Sequence, residues 1–67
     1  MIFIDKEKIK DFFRTKIVEK YDINPEDCEF DSEYFSIQNN KLVYGCAYSV
    51  VNDKHHVHDY IYYSLED

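Results

Sequence analysis

The sequence predicts an α+β domain: one N-terminal helix packed on a three-stranded antiparallel β-meander, in the order α-β-β-β. Three observations carry this. Ile9, Phe12, Phe13, Ile17 and Tyr21 recur at helical spacing and form a single apolar stripe. From Cys28 onward the pattern changes to alternation, interrupted by polar clusters at residues 38–41 and 52–55. Residues 42–65 then read as a hairpin with large or apolar side chains on both faces. A single helix covers one of those faces, so the other is left for a further surface.

The helix is expected over residues 6–21. Asp5 caps it, because its carboxylate accepts a first-turn N–H and opposes the helix dipole. Ile4 and Ile9 stand at hydrophobic-staple spacing, and Lys16 and Lys20 favour the negative end. Asn24-Pro25 ends the helical run, since a residue before proline avoids the α region, and starts one short turn through Asp27.

Residues 28–37 form the first strand. Gln38-Asn39-Asn40-Lys41 is a turn, because asparagine tolerates positive φ. A tight turn there pairs Ile37 with Leu42, Phe35 with Tyr44 and Tyr34 with Gly45. Any two- or four-residue loop within residues 52–55 puts Tyr44, Cys46, Tyr48 and Val50 on one face with Val57, Ile61 and Tyr63. Ile2-Phe3-Ile4 is a candidate for a short fourth strand. One conflict remains in the first strand. Strict alternation back from Phe35 and Ile37 places Glu33, Asp31 and Glu29 on the helix-covered face, and Cys28, Phe30 and Tyr34 on the other. Either a bulge near Asp31-Ser32 switches the face, or the strand outruns the helix.

The chain has 67 residues and reads as one small domain, 1–67, with a thin stability margin. Two cysteines, Cys28 and Cys46, are too few for a disulfide scaffold and are expected as small buried hydrophobes in a reduced, cytoplasmic protein. The apolar start is too short to span a bilayer. The formal charge is −6, distributed unevenly. Residues 1–20 hold six bases against four acids, +2, and residues 21–67 hold two bases against ten acids, −8. Direct nucleic-acid binding needs a basic footprint that this balance lacks, and the acidic body repels anionic membranes. It suits a protein partner with a basic surface, and it also serves solubility.

Four constellations invite a functional reading. Glu29, Asp31 and Glu33 make a carboxylate ladder with a repeat of about 6.6 Å, comparable to the charge repeat of a nucleic-acid backbone. A solvated edge strand guarded against aggregation gives the same pattern. Tyr60 and Tyr62 fall on the uncovered face beside Val43, Gly45 and Ala47, and with Tyr34 they are candidate partner contacts. Alternatively, their rings simply shield those small residues. The His55-His56-Val57-His58-Asp59 run reads as a polar hairpin end. As a metal site it would use His56 and His58, supported by Asp59, but it lacks a third and fourth ligand, Cys46 lying on the opposite face. Cys28 or Cys46 with a histidine does not make a catalytic site without an oxyanion hole, and Gly45 alone makes no phosphate loop. No catalytic residues and no cofactor are expected.

In composition the whole chain resembles the small, acidic, Ile/Lys/Asn/Tyr-rich proteins of phages and mobile elements in AT-rich bacteria, a group that includes anti-CRISPR and other anti-defence inhibitors. The resemblance lies in size, charge and fold rather than in any motif, so no functional residues carry over. It implies a non-catalytic inhibitor that occupies the substrate groove of a nucleic-acid enzyme or blocks its assembly. Glu29, Asp31, Glu33, Tyr34, Tyr60 and Tyr62 would be its contacts. The rival expectation is a small regulatory or structural protein that forms a homodimer through the second sheet face. A metal carrier or sensor using His56 and His58 is a third.

Overall fold

The computed structural model describes residues 5–65. Helix α1 spans Lys6–Tyr21, a single 3-10 turn covers Pro25–Asp27, and strands β1 (Cys28–Gln38), β2 (Lys41–Val51) and β3 (His56–Ser64) follow. The three strands form one antiparallel sheet in the order β1-β2-β3. The expected α-β-β-β meander is therefore the fold. Ile2-Phe3-Ile4, including the staple partner Ile4, lies outside the described residues.

The helix begins as its sequence dictates. Asp5 has extended backbone angles, and its Oδ1 accepts from the Lys8 N–H at 3.2 Å. It ends at Asp22, which takes the left-handed conformation at φ 54° and donates its N–H to the Val18 carbonyl. Asn39 and Asn40 carry the β1–β2 turn at φ 52° and 63°, the two-residue geometry whose twist matches that of the strands. The β2–β3 loop has four residues, fixing Val50 opposite Val57 and Val51 opposite His56. Asn52 holds it closed: its Oδ1 accepts from the Lys54 and His55 N–H groups, both at 2.8 Å, and its Nδ2 donates to Asp27 Oδ2 at 3.1 Å.

The core lies between α1 and one face of the sheet. Phe13 and Ile17 of the helix are buried against Tyr44, Cys46, Tyr48 and Val50 of β2. The Phe13 ring stacks on Tyr44 with centroids 6.1 Å apart and planes 12° apart. Both cysteines are reduced and buried within this layer, and burial pushes the Cys28 thiol up. Phe12, expected in the apolar stripe, sits at its margin, 44% exposed, edge-on to Tyr63.

The first-strand conflict is resolved by a bulge. The register shifts between Phe30 and Ser32, leaving Asp31 as the extra residue. Cys28 and Phe30 pair with Val50 and Tyr48 and so join the helix side, correcting the expectation that they share a face with Tyr34. Without the bulge, three carboxylates would face the helix and two apolar side chains would face water. The strand also outruns the helix. Eleven strand residues reach about 36 Å, whereas sixteen helical residues reach about 24 Å. Phe35 and Ile37, past the helix, are 52% and 65% exposed.

Candidate functional site

The face of the sheet away from α1 follows directly from the register. Gly45 stands between Tyr34 and Tyr62, and Ala47 between Ser32 and Tyr60. Ser49 stands between Glu29 and His58. Gly45 leaves the Tyr34 ring its place here: with that ring as it stands, a Cβ at position 45 would lie 2.4 Å from Tyr34 Cζ. The Tyr34 ring thus covers bare backbone, and Tyr60 meets it edge-on with centroids 6.2 Å apart. Tyr60 and Tyr62 themselves remain 69% and 55% exposed. Shielding of small residues is therefore the work of Tyr34, while most of the other two rings faces outward. Burial raises the Tyr34 hydroxyl above the usual phenol range.

The carboxylate ladder does not exist as a unit. Glu29 and Asp31 belong to the open face, where Asp31 Oδ2 accepts from Ser49 Oγ at 2.5 Å. Glu33, beyond the bulge, turns to the helix side opposite Cys46. There its Oε2 accepts from the Tyr44 hydroxyl at 2.5 Å, and Lys6 and Lys10 approach at 3.2 and 3.6 Å. The Tyr44 bond first, and then the Lys6 bond, lower the Glu33 carboxyl below its ordinary range. One inserted residue reverses the facing of everything that precedes it, so Glu33 leaves the candidate contact set for a structural role. Five of the six candidate contacts remain together: Glu29, Asp31, Tyr34, Tyr60 and Tyr62. Lys41, at the hairpin tip, is the one lysine or arginine the described strands place on this face.

A feature that sequence reasoning missed joins β1, β2 and β3 across this face. Ser49 is 8% exposed, and its single hydroxyl proton goes to Asp31. His58 Nδ1 lies 2.9 Å from the same oxygen and must therefore be the donor to it. The order His58 to Ser49 to Asp31 is opposite to that of an acyl-transfer triad, in which the imidazole takes the serine proton. The signal was a serine on the alternating strand β2 directly opposite a histidine, but reading it needed the hairpin register. A hollow of about 320 Å³ opens beside this relay, lined by Asp31, Ala47, Tyr48, His58, Asp59 and Tyr60.

The histidines are not one cluster. His55 lies edge-on to Tyr21, with its Nδ1 3.2 Å from Asn52 Oδ1. His56 and His58 are exposed on the open face with ring centroids 5.5 Å apart. Asp59, expected to support them, pairs with Tyr48 on the helix side and accepts from the Tyr60 N–H. Among the described residues, no group of three or more His, Cys, Asp or Glu side chains is arranged to hold a metal ion. No described helix is long and apolar enough to cross a membrane. No protein-family model, no curated protein and no solved structure matches the chain.

Proposed function

We propose that the chain is a non-catalytic binding protein that inhibits or modulates a basic, nucleic-acid-handling protein partner through its open sheet face. One observation carries this reading: Tyr60 and Tyr62 stand largely exposed on the same face of the sheet as Glu29 and Asp31, where the described strands carry one lysine, at the hairpin tip. Tyrosine offers a large ring with few rotatable bonds, so an interface orders it at low entropic cost. The two carboxylates supply long-range attraction to a basic surface and repel nucleic acid itself. The twisted three-stranded platform holds both sets in fixed relation. The compositional likeness to anti-defence inhibitors points to a nucleic-acid enzyme as the partner class.

A second reading, self-association, is favoured by a different surface. Phe35 and Ile37 extend past the helix, and Phe12 and Tyr63 lie exposed nearby on the same side. A homodimer through the open face would instead bring two copies of the Glu29 and Asp31 carboxylates into one interface, at a cost in like-charge repulsion and desolvation.

The test is capture of partners by the purified chain, followed by inhibition assays on any nuclease or polymerase recovered. Glu29→Lys with Asp31→Lys, and Tyr60→Ala with Tyr62→Ala, abolish capture on this reading, and Glu33→Gln retains it. Equal capture by all three variants contradicts it. Light scattering over a concentration series reports a monomer on this reading and a dimer on the second.

A further inference from the structure

We propose that His56 and His58 form a two-histidine site for a divalent transition metal of the zinc class, with Ser49 and Asp31 as its positioning residues. Three features of the open face support the site. First, the two imidazoles are side by side, at alternate positions of one strand. Their centroids are 5.5 Å apart. A zinc ion bound by two imidazoles at about 2.0–2.1 Å, with a tetrahedral angle between them, sets ring centroids roughly 5.2 Å apart. The centroid spacing of the pair is therefore within about 0.3 Å of that of a zinc-bound pair.

Second, the relay fixes the chemistry of one ligand. Because Ser49 gives its proton to Asp31, Nδ1 of His58 is engaged as a donor to Ser49, and Nε2 is the nitrogen left to ligate. A ligating histidine characteristically donates its other nitrogen to a carboxylate or a group bound to one, which sets the tautomer and raises ligand basicity. Here the carboxylate acts through a serine hydroxyl, and it comes from the bulge residue Asp31 rather than from the neighbouring Asp59. The bulge thus delivers to β3 a support that local sequence does not contain.

Third, the surroundings suit a cation. Glu29 and Asp31 lie on the same face, and Lys41 stands at the far hairpin tip. Two protein ligands leave two tetrahedral positions to solvent, so binding is expected to be weaker than at a closed structural site.

The experiment is titration of the full chain with Zn²⁺ against a chromophoric chelator, with circular dichroism on every variant to confirm folding. Wild type is expected to bind one Zn²⁺. His56→Ala and His58→Ala each lose affinity at least tenfold, and so do the milder His56→Gln and His58→Gln. Ser49→Ala weakens binding about 10–100-fold while leaving both ligands in place. His55→Ala binds as wild type. No competition at millimolar Zn²⁺, or equal affinity in wild type, His56→Gln and His58→Gln, overturns the site. Loss in His55→Ala equal to that in His56→Ala also overturns it, since His55 is bound into the β2–β3 loop. Unchanged affinity in Ser49→Ala overturns the positioning role of the relay.

Discussion

Glu33 and Tyr44 are bonded side chain to side chain, with the Tyr44 hydroxyl donating to Glu33 Oε2 at 2.5 Å. Tyr44 is wholly buried at 0% exposure, whereas the Glu33 side chain is 39% exposed. The phenol therefore reaches from the core to the helix–sheet boundary, and the carboxylate receives it with Lys6 and Lys10 on its outer side.

This pair contributes to the acid limb of stability. The Glu33 carboxyl is held below its ordinary value of 4.5, chiefly by the Tyr44 bond. Its contribution is thus present above pH 4.5 and is lost as pH falls through the lower folded value. Glu33→Gln should flatten that acid limb in urea unfolding measured across pH. The alkaline limb draws most on Tyr44 and Tyr48, whose hydroxyls are raised well above the usual phenol range, first by burial and then by hydrogen bonds, with Tyr34 and Cys28 raised by burial beside them. The contribution of Tyr44 and Tyr48 is complete below pH 10 and declines above it, as the unfolded chain ionises while the folded chain does not. Tyr48→Phe should reduce that decline.

Phe13 is the keystone of packing, in ring contact with Tyr44, Phe30 and Phe12. Phe13→Ala is expected to cost about 3–5 kcal/mol. A core of this size rarely supplies more than about 3–5 kcal/mol in total. The variant should therefore be largely unfolded at 25 °C by circular dichroism, and a cooperative folded transition near the wild-type midpoint would refute the assignment.

Among the described residues, three non-glycine residues hold positive φ: Asp22, Asn39 and Asn40. Asp22→Gly and Asn40→Gly should each stabilise by up to about 1 kcal/mol, since glycine adopts this region without the Cβ penalty. Asn40→Val should cost about 1–2 kcal/mol. Chemical denaturation midpoints check all three.

Gly45→Ala separates the open face from the core. The added Cβ meets only the far end of the Tyr34 side chain, which can swing aside. Stability should change by less than about 1 kcal/mol. The Tyr34–Tyr60 edge contact should be lost, visible as displaced Tyr34 and Tyr60 ring resonances in NMR, and partner binding should weaken with it.

Much of this architecture was legible in the residues. The stripe from Ile9 to Tyr21, the Asn39-Asn40 turn and the parity of residues 42–65 each follow from local rules, and each stands as expected apart from Phe12, which lies exposed at the margin of the stripe. The bulge was legible near Asp31-Ser32 as one of two ways out of a conflict, because alternation demanded buried carboxylates at residues 29, 31 and 33. Which side chains it regrouped depended on its position, and that is set by cross-strand pairing. The separation of Glu33 from Glu29 and Asp31 was consequently hidden. The Asp31–Ser49–His58 relay was hidden for the same reason: its members come from three strands, and local periodicity does not report contacts between strands.

Site-specific photo-crosslinking in the cell that makes the chain tests the central claim most directly. A benzophenone side chain is placed at Tyr60, on the open face, and separately at Glu7, an exposed helix position. The account predicts an adduct at position 60 with a different, basic protein that handles nucleic acid, and none with that protein at position 7. An adduct at position 60 only with a second copy of the chain, or equal adducts at both positions, would contradict it.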